Sequence, residues 1–380
     1  MRIDIPRSST PFFNEKQRLF TENQAALSAW IQRPFSKEAF LEQLTEKQHV
    51  FGASQRDLLQ EGLEELYEDV LRTEKVETNI EKLGQANCFT VTTGHQLSLA
   101  TGPLFFLYKI LHVIKQCEEL KASYPDYEFV PVYWMASEDH DFAEIQSVSL
   151  FQQVLKWDRS QGGAVGRMNL DGLEAVISEI QTKFQNHPES EIHSLMEAMS
   201  GETYGKAFLK FVNELFGHYG LIIIDGDLPL WKEAFCPIFK QELLSGFSAK
   251  ALGRTNQSLS QAGFPLQVEA KDTNLFYLSP DKRERIQRTE TGFQFGSKEL
   301  DTESMLTELK NHPESFSPNV VLRPVYQEFL LPNLCYVGGP GEIMYWLQLK
   351  EVFEEAEVLF PLIQARTSIL LLEEKNWNEW

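Results

Sequence analysis

Apolar residues in the first 85 positions recur at helical spacing, which predicts a helical region. From Asn14 the run passes through Phe20, Leu27 and Trp30. Ser36 caps a helix through Leu44, and Ser54 with Asp57 makes an S-x-x-D start for a helix through Leu59, Leu63 and Leu66. These helices are expected to cover one side of a sheet. Between 86 and 145 the pattern changes, and two apolar strands each break off into a polar cluster. The first ends in Thr93-Gly94-His95-Gln96, and the second, from Val130 to Ala136, runs into Glu138-Asp139-His140-Asp141. Between them Leu104, Leu107, Tyr108, Leu111 and Ile114 mark the buried face of a helix of about five turns. Lys109, Lys115 and Glu119 lie off that stripe, and Pro103 suits the first turn. The result is a βαβ unit, and open α/β sheets bind ligands beyond the carboxyl ends of their strands.

Further along, the segment from 150 to 215 alternates strand-like pieces with polar helix, turns at Gln161-Gly162-Gly163, and reads as an insertion. Leu221 to Ile224 is a buried strand ending in Asp225-Gly226-Asp227, and a helix from Trp231 to Leu244 follows. A second polar insertion, 245 to 312, carries Asn274 to Leu278 as a strand before a basic turn with Lys282, Arg283 and Arg285. Two more strand ends follow, Val320 to Pro324 and Leu334 to Glu342, the latter opening a helix through Trp346 and Phe353. The expected fold class is α/β with a parallel sheet: a helical region over 1–85 and a core over 86–380 with insertions at about 150–215 and 245–312. The pentapeptide Asn-His-Pro-Glu-Ser occurs at 186 and 311 with unmatched flanks, so shared turn chemistry explains it better than duplication.

Composition narrows the function. With 42% hydrophobic and 24% charged residues the chain has the make-up of an ordinary soluble protein with a sizeable core. Fifty-five acids against thirty-five bases give a net charge of −20, which repels phosphate backbones and acidic lipid and weighs against nucleic-acid and membrane partners. The four cysteines, at 88, 117, 236 and 335, form no C-x-x-C pair, so no zinc knuckle or thioredoxin-like site is written. A reduced cytoplasm is the expected compartment, in keeping with a start that lacks the apolar stretch of a signal peptide.

Three constellations carry candidate chemistry. Thr93-Gly94-His95-Gln96 stands just before Thr101-Gly102-Pro103, where glycines let backbone N–H groups approach a phosphate or carboxylate and His95 offers a proton or a charge. The same residues also suit a plain strand-to-helix turn. Glu138, Asp139, His140 and Asp141, with Glu144 close behind, offer a general base, an orienting partner and candidate ligands for magnesium. A solvated charged loop would look alike. Arg323, Gln327, Gly338, Gly339, Pro340 and Glu342 form the third set, with Arg323 suited to a carboxylate and the glycines leaving room for substrate. Glu342 also suits simple complementation of a helix dipole, and Cys335 reads as core packing.

At these residues the chain resembles the cysteine ligases of bacillithiol biosynthesis. T-G-H-Q at 93, T-G-P at 101 with Tyr108-Lys109, P-V-Y-W-M-A-S-E-D-H-D at 131, N-L-F-Y at 274 with R-E-R at 283, L-R-P-x-x-Q at 322 and Y-V-G-G-P-x-E-x-x-Y-W at 336 match in order. The resemblance implies a Rossmann-like core related to nucleotidyl transferases, with inserted segments, that joins cysteine to the amine of glucosaminyl malate. It implies His95, Asp139 and His140 as catalytic residues, and Thr93, Gly94, Gln96, Tyr108, Lys109, Glu138, Asp141, Arg323, Gln327, Gly338, Gly339, Glu342 and Tyr345 as substrate-binding ones. Thr101, Gly102, Asn274, Arg283 and Arg285 are the candidate cofactor contacts, with ATP as the activating group by analogy to class I synthetases and magnesium beside it. Members of that family continue into a coiled coil that pairs two protomers, whereas this chain stops at Trp380, so the arm is expected to be absent and dimerisation is open. Two other readings stand beside this one: a magnesium-dependent nucleotidyl transferase or hydrolase, and a binding protein of thiol metabolism without chemistry.

Overall fold

The computed structural model describes residues 4–159, 162–188 and 190–371. Gln161 of the expected turn, Glu189 of the first pentapeptide copy and the last residues, 372–380, lie outside the described residues. The helical start is present. Ser36 accepts from the Ala39 N–H and opens helix α1, Lys37–Val50, which lies against the sheet's far strands. Helix α2, Ala53–Leu66, is capped two residues earlier than the S-x-x-D pattern predicts: the Gly52 N–H donates to Gln55 Oε1, and Ser54 sits inside the first turn.

Five parallel strands form the central sheet: β1, Cys88–His95; β2, Glu128–Met135; β3, Ile222–Asp225; β4, Asn333–Gly338; and β5, Leu362–Ala365. Their order is β5-β4-β1-β2-β3. The chain thus winds outward from β1 to β3, returns to the other side of β1 and winds outward again. Where the direction reverses, between β1 and β4, the connections leave on opposite sides and open a crevice at the carboxyl ends. The fold class is the Rossmann-like α/β arrangement expected. Cys335 is buried within β4, in register with Val91, and burial pushes its thiol well above the usual range.

Helix α3, Phe105–Ser123, crosses from β1 to β2, and its buried face differs from the predicted stripe. Phe106, Ile110, Val113, Ile114, Cys117 and Leu120 are buried, while Leu104 and Leu111 are exposed. Two overlapping stripes satisfy the helical period in this apolar segment. The one that packs has no break at Lys109, because that lysine finds an acid inside the fold. Each large apolar side chain buried there contributes about 1.5–3 kcal/mol.

The segments expected as insertions form small sheets of their own, apart from the five-stranded one. The first opens with an antiparallel hairpin, Ser147–Leu150 with Gln153–Lys156, and includes a short 3-10 turn at Val165–Arg167. Between β3 and the second insertion runs helix α4, Pro229–Ser245. The second insertion carries the hairpin Leu275–Ser279 with Lys282–Arg285, extended by Phe316–Pro318. Val320 to Pro324 is not a strand end: Asn319 Oδ1 accepts from the Val321 N–H and turns the chain into helix α5, Arg323–Leu330. The predicted long helix after β4 breaks into α6, Pro340–Trp346, and a separate turn at Lys350–Glu355. No described helix is long and apolar enough to cross a membrane.

Candidate active site

The crevice between β1 and β4 is built around a buried ion pair. Lys109, 4% exposed, comes off α3 beneath the tip of β1, donates to the Gly94 carbonyl at 2.8 Å and pairs with Glu342 in the first turn of α6. Glu342 also accepts from the Tyr336 hydroxyl at 2.6 Å and the Gly339 N–H at 2.7 Å. Burial alone would raise its pKa, but Lys109 and these hydrogen bonds outweigh that and hold the carboxyl below the usual range. Glu342 is therefore the anchor of the lysine, more than a complement to the helix dipole.

Around this pair stand nitrogen atoms with nothing to bond. Arg323 donates through Nη1 to Gln327 Oε1 at 3.0 Å, while its buried Nη2 has no hydrogen-bond partner. His95 Nε2 and Arg366 Nε are likewise buried and unpartnered. His95 and Arg366 both pack on Phe105, with ring and guanidinium centres 5.3 and 5.4 Å from its ring. A Cβ on Gly94 would come within 3.2 Å of the Tyr336 hydroxyl and 3.8 Å of Arg323 Nη1, and one on Gly339 within 3.8 Å of Arg366 Nε, so the backbone at both strand tips approaches these groups closely. Lys109, Arg323 and Arg366 face a single carboxylate here, leaving positive charge in excess within a molecule of net charge −20. The His95 imidazole adds none. Burial, then the charges of Lys109 and Arg366, push its pKa down to about 3, so it is a neutral hydrogen-bonding group and not the neutralising charge expected.

A second group gathers at the tip of β2. Gln96 donates to Asp139 Oδ2 at 2.5 Å, the His140 N–H donates to Oδ1 at 2.7 Å, and Arg283 stands 3.6 Å from the same oxygen. Burial opposes the charge on Asp139, but Gln96, Arg283 and the His140 N–H overcome it and depress the pKa. His140 is exposed, and its Nδ1 lies 3.4 Å from a donor, Arg283 Nη1, and 3.4 Å from an acceptor, Asp139 Oδ1. Arg283 arrives on the hairpin of the second insertion, laid over the Phe276 ring at 4.1 Å and held by Ser317 and Pro318. Arg285 is two residues along the same strand with a buried, unpartnered Nε. Gln96 joins the two groups, following directly on His95 and bonding Asp139.

Behind β2 and β3 lies a third cluster that the sequence reading did not assemble. Lys232, fully buried on α4, bridges Glu138 at 2.9 Å and Asp227 at 2.5 Å. Arg167 forks onto Asp227, and Ser137 donates to Asp225. Glu138 is thus committed to an ion pair behind the strand tip, and Asp139 to Gln96. Among the described residues no three His, Cys, Asp or Glu side chains stand together to hold a metal ion.

Several expected residues make hydrogen bonds within the framework. Thr93 donates to the Val337 carbonyl across β1 and β4, and Gln327 is buried, spent on Arg323 and Glu328. Asn274 uses its amide on Ser248 and Asn319. The Gly102 N–H donates to the Leu99 carbonyl within its own turn. Asp141 is exposed ahead of a short helix, and Tyr108 is half-buried on α3. Gly338 offers its carbonyl to the Arg366 N–H, and Tyr345 stands beside Arg323. Arg366, Tyr336, Lys232 and Arg167 were missed. Arg366 ends a strand in the same way as His95, which is the signal that could have found it; Arg167 lies in an insertion without pattern.

Comparisons with known proteins agree with the Rossmann-like fold. A family model described as the N-terminal Rossmann-like domain of bacillithiol biosynthesis BshC matches residues 3–367. A protein of Flavobacterium johnsoniae is 38% identical over 379 residues, 98% of this chain and 71% of its own length. One of Christiangramia forsetii is 40% identical over 97% of this chain and 70% of its own, and one of Cytophaga hutchinsonii is 42% identical over 82% and 59%. All three bear the name "Putative cysteine ligase BshC", and the match spans from 59% to 71% of their lengths. The chain belongs to the BshC family of bacillithiol biosynthesis.

Proposed function

We propose that this protein joins the carboxylate of cysteine to the amine of glucosaminyl malate, forming the amide of bacillithiol. The names carried by its relatives support the ligase class. The observation that carries the reading is the set of three buried, unpartnered nitrogens, His95 Nε2, Arg323 Nη2 and Arg366 Nε, around the Lys109–Glu342 pair. Buried donors left empty cost about 1–3 kcal/mol each, a penalty that anionic oxygens of a ligand relieve. At the neighbouring tip of β2, Asp139 and His140 would serve the amine nucleophile.

A free carboxylate is a poor acyl donor, so activation is part of the proposal. ATP would supply it by making the cysteine carboxyl a better electrophile. The excess positive charge of Lys109, Arg323 and Arg366 suits carboxylate and phosphoryl oxygens alike, with neutral His95 donating or accepting a hydrogen bond among them. His140 removes the proton of the sugar amine, and Asp139 orients it: the carboxylate is too strongly stabilised by its partners to be the better base. Arg283 and Arg285, on the hairpin facing this tip, bind the malate carboxylates. Incubation of the protein with cysteine, glucosaminyl malate and ATP should yield a product of bacillithiol mass. Absence of that product, with the protein folded, would falsify the assignment.

A further inference from the structure

The two insertions meet at one short strap, and that strap grips the tip of β2. The Gly166 N–H donates to the Ser137 carbonyl and the Val165 N–H to the Asp139 carbonyl, both at 2.7 Å, so the strap is hydrogen-bonded to the backbone on either side of Glu138. Contact is too close for a side chain: a Cβ on Gly166 would lie 2.6 Å from Ser137 Cβ. At its other end Gly162 and Gly163 lie against the turn of the Arg283 hairpin, where their Cβ atoms would come within 2.6 Å of the Asp281 carbonyl oxygen and 3.0 Å of that of Pro280. One stretch of backbone therefore touches the segment bearing Asp139 and His140 and also the hairpin bearing Arg283.

Charge fixes the strap in place. Arg167 forks onto Asp227, Nε to Oδ2 at 2.5 Å and Nη2 to Oδ1 at 2.7 Å, and Nη2 also donates to the Glu314 carbonyl at 2.7 Å. Asp227 in turn meets Lys232, which reaches Glu138. Planar, two-point recognition of this kind fixes orientation as well as distance.

We propose that Arg167 is a positioning residue, which holds the Val165–Arg167 strap so that His140 keeps its place between Asp139 and Arg283. The inference rests on the reading of His140 as the base. Its loss slows the chemical step and leaves the β1–β4 crevice intact.

The test uses Arg167→Gln and Arg167→Lys in the full chain. Expected for Arg167→Gln is a fall in kcat of about 10-fold or more, with KM for cysteine within about twofold and a displaced acid limb of the pH–rate profile. Arg167→Lys, which keeps the charge and loses the fork, recovers part of kcat. In parallel, the His140 ring proton is followed by NMR across pH, and its titration curve should move in Arg167→Gln with the other histidines unmoved. Wild-type kcat and an unmoved His140 signal in Arg167→Gln would overturn the proposal, as would a fall in activity that only tracks the fraction of protein unfolded. No ligation by the unaltered protein sinks the functional reading alone, because the His140 titration still decides whether Arg167 positions it.

Discussion

Asp225 ends β3 with a hydroxyl from Ser137 and the Asp227 N–H on one of its oxygens. Burial first, then the Asp227 charge, push its pKa up to about 6. The folded state therefore holds this proton more tightly than the unfolded chain does. Its contribution to stability is complete below the unfolded value near 4 and is lost as pH rises through about 6, on the order of 2 kcal/mol for a partly shielded group. Asp225→Asn keeps the accepting oxygen without the proton, so chemical denaturation at pH 4, 5, 6 and 7 should show a flatter profile than the wild type. Asp139→Asn tests the other carboxylate. It should cut turnover by about 10-fold or more without moving the thermal midpoint by more than a few degrees, and an unchanged kcat would remove Asp139 from the site. The strand-tip motifs were legible residue by residue because reactive polar groups follow directly on apolar runs. Lys109 was placed off the buried stripe because periodicity weighs polarity alone, and its acid, Glu342, lies far away in sequence.

Helices α1 and α5 are joined by a charge pair more deeply buried than the one in the crevice. Lys47 reaches Glu328 at 3.6 Å with both side chains almost wholly covered, and Glu328 also accepts from Gln327 and Asn333. Gln327 continues the line to Arg323, so the N-terminal helical region reaches the site through hydrogen bonds as well as through packing. Lys47→Met should leave Glu328, whose pKa burial already raises, without its counter-ion and cost about 3–5 kcal/mol in urea denaturation. Adding Glu328→Gln to that variant removes the stranded charge while keeping an acceptor, and should recover most of the loss. No pattern in the first 85 residues announces this link. A buried lysine on an amphipathic helix looks like any solvent-facing one until its acid is known. Arg167 and Lys232 were illegible for the same reason: each takes its meaning from a partner on another element.

At the scale of the molecule, a net charge of −20 surrounds local gatherings of positive groups at the crevice and on the hairpin beside His140. A fluorescent duplex of about 20 base pairs should show no binding at 0.1 M salt up to tens of micromolar protein, and a measurable affinity there would contradict the exclusion of nucleic acid drawn from charge. The parallel sheet was within reach of the sequence because strand and helix alternate around it, whereas its strand order and the strand at Leu362–Ala365 were not read. The insertions were placed as segments, while their meeting over β2 depends on backbone contacts at glycines, which no hydrophobic pattern records. That sheet order also bears on how the protein comes into being. β1 is the central strand, yet its neighbour β4 follows much later, Thr90 meeting Asn333 across 243 positions. On the ribosome the half-made sheet carries a strand with one edge bare until β4 emerges, 243 positions after Thr90, so the nascent polypeptide needs shielding from its own kind through that interval.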